Sequence, residues 1–238
     1  MIFNPKADTR IEPGDTKHAT HGGKTMNGKQ RIITALEVKE PDCVPLYIHG
    51  INEIPIIGIG KHLTENLPEP QDFRLMNAND QLKLVDTLFL IHDVFDIDGI
   101  TTFEIGHETK VDDLHVKDGF GVVYKLSKHG IPVPVGHPIK TFDELKTFNP
   151  PVPRAEDLGL LNLAIDRFKG QKASFWLMRG IFVRSWRLMG MTNLMTNMID
   201  NPEFVHEVAG MMLKFNLAQL DLLVEAGLDV LVIEDDIA

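Results

Sequence analysis

The chain has 238 residues, 43% of them hydrophobic and 24% charged, and carries a formal net charge of −10. That composition supports a sizeable globular core, and the acidic balance argues against nucleic acid or an anionic membrane as the main partner. One cysteine excludes an intramolecular disulfide, no apolar run approaches the roughly 18 residues of a membrane span, and no signal peptide opens the chain, so a cytoplasmic location is expected.

Residues 1–27 read as a mobile polar lead-in. His18 and His21 within it have an HxxH spacing but no third ligand, so no metal site is expected there. Ile32, Ile33, Ala35 and Leu36 then mark one face of a short helix that ends in an EPD turn. VPLYIHG, residues 44–50, reads as the first buried strand. The prolines and glycines of residues 51–73 predict irregular structure. Asn79 is a predicted N-cap for the next helix, with Leu82, Val85, Leu88 and Phe89 facing a core.

IDGITTFEIG is the second predicted strand. Beyond it, alternating residues broken by DGFG and KHG predict β-hairpins. Thr141 and Glu144 have the spacing of a capping box. A helix over residues 155–170 ends at Gly170. The third strand covers about residues 173–178 and turns at Arg179-Gly180. The methionines from Met189 to Met198 follow helical spacing and read as core filling. In the longest helix Asp200 or Asn201 is the cap and Pro202 the first helical residue. Phe204, Val208, Met211, Met212 and Phe215 form its buried stripe, and Gly227 its stop. LDVLVIEDD, the fourth strand, runs into Glu234, Asp235 and Asp236.

Strands separated by helices imply parallel pairing through right-handed crossovers. No GxGxxG or GxxxxGK[ST] follows any of them. The expected fold is therefore α/β of the (β/α)8 TIM-barrel type, here its N-terminal half of about four strands plus a β-hairpin insertion. Residues 28–238 are read as part of one domain cut after strand four. In such barrels the strand C-termini carry the chemistry, which suits a strand ending in three acids.

RIITALEVKEPDCVPL resembles the opening of the uroporphyrinogen decarboxylase-like superfamily. KDGFGVVYK is similar to that family's aspartate–aromatic–glycine hairpin, GHPIKTFDELKTFNPPVP to its "HP…P.P" segment, and DNPEFVHEV with EAGLDVLVIEDDIA to the helix and strand that follow. The resemblance implies a barrel enzyme with one of two activities. One is methyl transfer between a methylated substrate or thiol and a corrinoid protein, often with barrel-bound zinc. The other is cofactor-free decarboxylation of uroporphyrinogen. LYIHGINEI lacks the arginines of the decarboxylases' Arg-Gln-Ala-Gly-Arg motif, and Glu234-Asp235-Asp236 stands where they carry Asp-Ser-Trp. Methyl transfer is thus the favoured expectation, uroporphyrinogen decarboxylation the alternative, and a non-catalytic barrel binding protein the second alternative. The family's His-x-Cys and distant Cys zinc ligands are not in this chain, so zinc would be held elsewhere in the full-length protein, and a decarboxylase would need no cofactor.

The catalytic candidates are Asp235, Asp236, His49 and Glu104, all at predicted strand ends. Paired carboxylates raise one another's pKa and can pass a proton or seat a cation; a histidine can protonate substrate. Arg179 is the candidate for an anionic substrate group, with Tyr47 and Trp176 as further substrate-binding residues. Arg184 and Arg187 are expected in surface or fold-stabilising ion pairs, Glu234 and Cys43 in structural places, and His137 in shaping a turn.

Overall fold

The computed structural model describes residues 25–104, 106, 108–127 and 131–236. His18, His21, His107 and His129, and the lead-in up to residue 24, lie outside the described residues.

Helix α1 (Gly28–Leu36) starts at Asn27, whose side chain accepts from the Gln30 amide while Gln30 bonds back, a capping box. Strand-like VPLYIHG does not join a ladder, contrary to the expectation of a first strand. Pro45 has no N–H to give. The Leu46 amide is taken by the Asp98 carboxylate, and the Ile48 carbonyl by the Thr101 hydroxyl. One backbone pair remains, the Asp98 amide donating to the Leu46 carbonyl, and side chains take the other groups, so no ladder forms although the segment lies beside β1 (Gly99–Phe103).

The stretch expected to be irregular contains α2 (Glu53–Gly60). Pro55 falls in its first turn, where the amide needs no intrahelical partner, so the proline is tolerated. Helix α3 (Ala78–Val94) is capped by Asn77 rather than Asn79, the Asn77 oxygen accepting from the Asp80 amide. That start leaves Leu82 exposed and turns Leu84, Val85, Phe89 and Ile91 inward.

The predicted hairpins form a four-stranded antiparallel sheet: β2 (Thr109–Lys110), β3 (His115–Lys117), β4 (Val123–Lys125) and β5 (Val133–Gly136). Helix α4 (Phe142–Thr147) follows its Thr141–Glu144 capping box, and α5 (Gly159–Phe168) stops at left-handed Lys169 and Gly170. Strand β6 (Ala173–Arg179), α6 (Ile181–Met189), α7 (Met191–Asp200), α8 (Pro202–Glu225) and β7 (Val230–Glu234) complete the order. Proline stands first in α8, and Phe204, Val208, Met212 and Phe215 are buried. Of the methionines expected to fill the core, Met189 does, while those on α7 do not: Met191, Met195 and Met198 are exposed and Leu194 is the helix's inward residue.

β1, β6 and β7 form a parallel sheet with β6 central, joined by helical crossovers. Alternation along β6 separates its faces. Trp176 and Met178 pack with Leu161 of α5 and Leu223 of α8. Phe175 lies on the other face, stacked on Tyr47 at 4.1 Å between ring centres. The fold is thus mixed α/β, with a parallel three-stranded sheet, helices against one face and an antiparallel sheet as insertion.

At the amino ends of the strands, Arg31 of α1 is buried between two acids. Its Nε donates to Asp42 at 2.7 Å and its Nη1 to Asp98 at 2.9 Å. This ties α1, the EPD turn and β1 together. Arg31 first, and then the Met26 amide, hold the Asp42 carboxyl down from 3.8 to about 2. A depressed carboxylate contributes stability that is fully present above its unfolded value and is lost as pH falls through its folded one. The unfolding free energy of the native chain should therefore drop between these two pH values, and Asp42→Asn should flatten that drop. Denaturant titrations at stepped acid pH measure it; identical slopes for both proteins would contradict the assignment.

Candidate functional site

The carboxyl ends of β1 and β6 open into a cavity of about 1190 Å³, roofed by the antiparallel sheet and by the loops around Asn52 and Phe73. The insertion leaves from the end of β1 and returns at the carboxyl end of α6, where the Ile139 amide donates to the Leu188 carbonyl, and its residues Asp118, Phe120 and Tyr124 line the cavity. Glu104 and Arg179 enter from the parallel sheet, Asp118, Phe120 and Tyr124 from the insertion, and Phe215 from α8.

The polar part of the cavity is built on α6. Gly180 begins that helix, and the carboxylate of Asp235 on the neighbouring strand end accepts from the Phe182 and Val183 amides at 3.3 and 2.9 Å. An acid at a helix N-terminus satisfies unpaired amides and favours the helix dipole. Gly180 has an ordinary φ of −69°; glycine is required there for space, because a Cβ would sit 2.2 Å from Asp235 Cγ.

So fixed, α6 sends Arg184 and Arg187 towards the insertion. Arg184 is buried and takes the second of the two places expected for it, a fold-stabilising ion pair. Its Nη2 donates to Glu104 at 3.1 Å and its Nε to Asn216 at 2.7 Å, while Asn216 donates to the Arg179 carbonyl. The guanidinium carbon lies 5.2 Å from the Phe120 ring centre and 4.5 Å from that of Phe215, within cation–π range of both. Burial lowers the pKa of Arg184 and of Arg187. His137 donates from Nδ1 to the Arg187 carbonyl at 2.7 Å, which suits the structural place expected for it.

Asp118 sits in the DGFG turn. Its Oδ1 accepts from the Phe120 and Val122 amides, both at 2.9 Å, and Gly121 takes the positive φ the turn needs. Burial raises the Asp118 carboxyl against the pull of the Val122 amide, and it raises the Tyr124 hydroxyl as well. At the mouth, Arg74 donates to Glu108 at 2.6 Å, and burial raises Glu108.

The structure therefore brings Glu104 and Arg179 together at one cavity. Asp235 stands on the adjacent strand end, turned to α6, and Asp236 is exposed beyond it. His49 is exposed and does not line the cavity; Tyr47 is held on the sheet face by Phe175 and by the Thr101 hydroxyl. Trp176 is fully buried on the helix-facing side, so it leaves the candidate site, because the alternation of β6 turns it away from the rim side chains. Asp118, Tyr124 and Arg187 join the site from positions not named as candidates. The signal for Asp118 and Tyr124 is the KDGFGVVYK hairpin inserted soon after β1. Among the described residues no group of three His, Cys, Asp or Glu is placed to hold a metal ion, and no helix is long and apolar enough to cross a membrane.

No family model and no curated protein matches the chain. Among solved structures it is similar to a methyltransferase from Methanosarcina mazei, at 15% sequence identity and a TM-score of 0.63. The match covers 87% of this chain and 58% of the other, so this chain spans little more than half the length of that protein. At this identity the likeness is one of fold.

Proposed function

We propose that the chain belongs to a methyltransferase of the uroporphyrinogen decarboxylase-like superfamily, and that residues 28–238 form the amino-terminal portion of its (β/α)8 barrel. The methyl group passes from a small methylated molecule to a corrinoid carried by a partner protein. The observation that carries this reading is the fold likeness to a methyltransferase, and a polar cavity at the carboxyl ends of parallel strands supports it.

In such a transfer the bond between the donor heteroatom and the methyl carbon breaks, and the methyl carbon bonds to the acceptor nucleophile. The leaving heteroatom keeps the bonding pair and needs a proton. Asp118, the buried acid with a raised pKa, is the group suited to deliver it. Glu104 is committed to Arg184 as its ion-pair partner and shapes the cavity wall. The guanidinium of Arg179 makes no ion pair among the described residues and orients the polar end of the substrate. Asp235 positions α6. The residues described here do not fit zinc, so no step uses it.

The decarboxylase alternative needs several cations free for carboxylates. Arg74 and Arg154 at this cavity are instead engaged by Glu108, Asp72, Asp157 and Glu156. The test supplies the protein with free cob(I)alamin and, in turn, methyl ethers, methyl thioethers and methylated amines, following methylcobalamin absorbance. One donor class should support turnover. Release of CO2 from uroporphyrinogen, or no methylation with any class, would reject the proposal.

A further inference from the structure

Glu104 and Arg179 follow neighbouring strands, are both half-buried and line one cavity, yet they do not pair. The register sets Phe103 beside Leu177, so the two residues are offset by one position across the β1–β6 pair. Paired strands lie about 4.8 Å apart and rise roughly 3.3 Å per residue, a span that a glutamate and an arginine side chain can bridge. Opposite charges at that range attract, and more strongly beside a protein wall than in bulk water. Something holds them apart.

Three hydrogen bonds do so. Arg184 donates from Nη2 to Glu104 at 3.1 Å and from Nε to Asn216 at 2.7 Å, and Asn216 donates from Nδ2 to the Arg179 carbonyl at 3.0 Å. Asn216 therefore grips both the cation that takes Glu104 and the backbone that carries Arg179. Arg184 is 4% exposed, lies between the Phe120 and Phe215 rings and is not among the residues lining the main cavity. It cannot meet a ligand there itself. Stability alone does not call for it either, because apolar residues of similar volume often replace a buried ion pair at no loss. Asp118, the other acid near Arg179, is tied into its own turn by the Phe120 and Val122 amides.

We propose that Arg184 and Asn216 are positioning residues that hold Glu104 away from Arg179, so that the Arg179 guanidinium stays unpaired and open to the polar group of a substrate. A Glu104–Arg179 pair would neutralise that guanidinium and give every ligand a competitor to displace. The inference rests on the methyl-transfer reading only in making that substrate the methyl donor.

Phenylglyoxal condenses with accessible, unpaired guanidiniums, so it reports on Arg179 with no ligand present. The full chain is compared with Arg184→Met, with Arg184→Met combined with Glu104→Gln, and with Glu104→Gln alone. Peptide mass spectrometry gives the rate at each arginine, and circular dichroism shows that each variant is folded. In the native chain Arg179 should react while Arg184 stays protected. Arg184→Met should slow Arg179 by about fivefold or more, the worth of a partly exposed ion pair, as the released Glu104 turns to it. Adding Glu104→Gln should restore the native rate, because a neutral amide does not hold a guanidinium. Glu104→Gln alone should leave that rate unchanged. If Arg184→Met does not fold, Arg184→Gln, which keeps an amide donor for Asn216, takes its place in the same comparison. An unreactive native Arg179, a faster Arg179 in Glu104→Gln, no slowing on loss of Arg184, or no recovery in the double variant each overturns the positioning role. If the expected pattern appears while no donor methylates cob(I)alamin, the positioning role stands and the methyl-transfer reading falls.

Discussion

Replacing Arg184 with methionine is expected to lower the free energy of unfolding by about 3–5 kcal/mol, the usual cost of removing one partner from a buried ion pair. Methionine fills much of the space between Phe120 and Phe215, so the loss comes from polar groups left behind. Glu104 loses its cation, and the Asn216 oxygen loses its donor inside the packing of α6 against α8. The double variant Arg184→Met, Glu104→Gln should recover part of the loss, because it removes the stranded charge. Urea melts of the three proteins measure this. A single variant within about 1 kcal/mol of the native chain would mean that Arg184 is hydrated, as an ordinary surface arginine is.

The second large effect belongs to Gly180→Ala, expected to cost about 2–4 kcal/mol, from overpacking together with a lost helix cap. The new methyl would lie 2.2 Å from Asp235 Cγ and 2.4 Å from its Cβ. Asp235 must swing away, which frees the Phe182 and Val183 amides and loosens the helix carrying Arg184 and Arg187. The backbone should hold β7 in place, because the Gly180 amide donates to the Glu234 carbonyl. In an Asp235→Gly background, which removes that Cβ as well as the carboxylate, the clash is already relieved, so adding Gly180→Ala there should cost much less. Additive effects in this cycle would show that Gly180 and Asp235 do not meet.

These two variants also show where sequence reasoning reached and where it stopped. The segments ending at Glu104, Arg179 and Glu234 are legible because each is a short β-branched or aromatic run closed by a turn or by acids. The Thr141 capping box and the Pro202 helix start are legible because their hydrogen bonds are local. Residues 44–50 have the composition of a strand, yet Asp98 and Thr101 take their backbone groups, and that substitution depends on residues far along the chain. The same limit hides the site. Whether Arg184 pairs at the surface or inside is open in the sequence until Phe120 and Phe215 close over it, and Tyr124 gains significance only once the insertion folds over the rim. Asp235 and Glu104 were visible as acids at strand ends; that one caps a helix and the other holds an arginine follows from packing alone.

With Asp235 turned to α6 and Glu104 paired, the chemistry of the rim falls to Arg179 and Asp118. Arg179→Gln leaves every ion pair described here intact and should therefore fold like the native chain. The rate of cob(I)alamin methylation with the best donor, compared between native protein and Arg179→Gln, tests the central claim most directly. A fall in kcat/KM of about 100-fold or more, at an unchanged thermal midpoint, is the result expected of a lost guanidinium–substrate contact. Equal rates in the two proteins would place the substrate somewhere other than this rim.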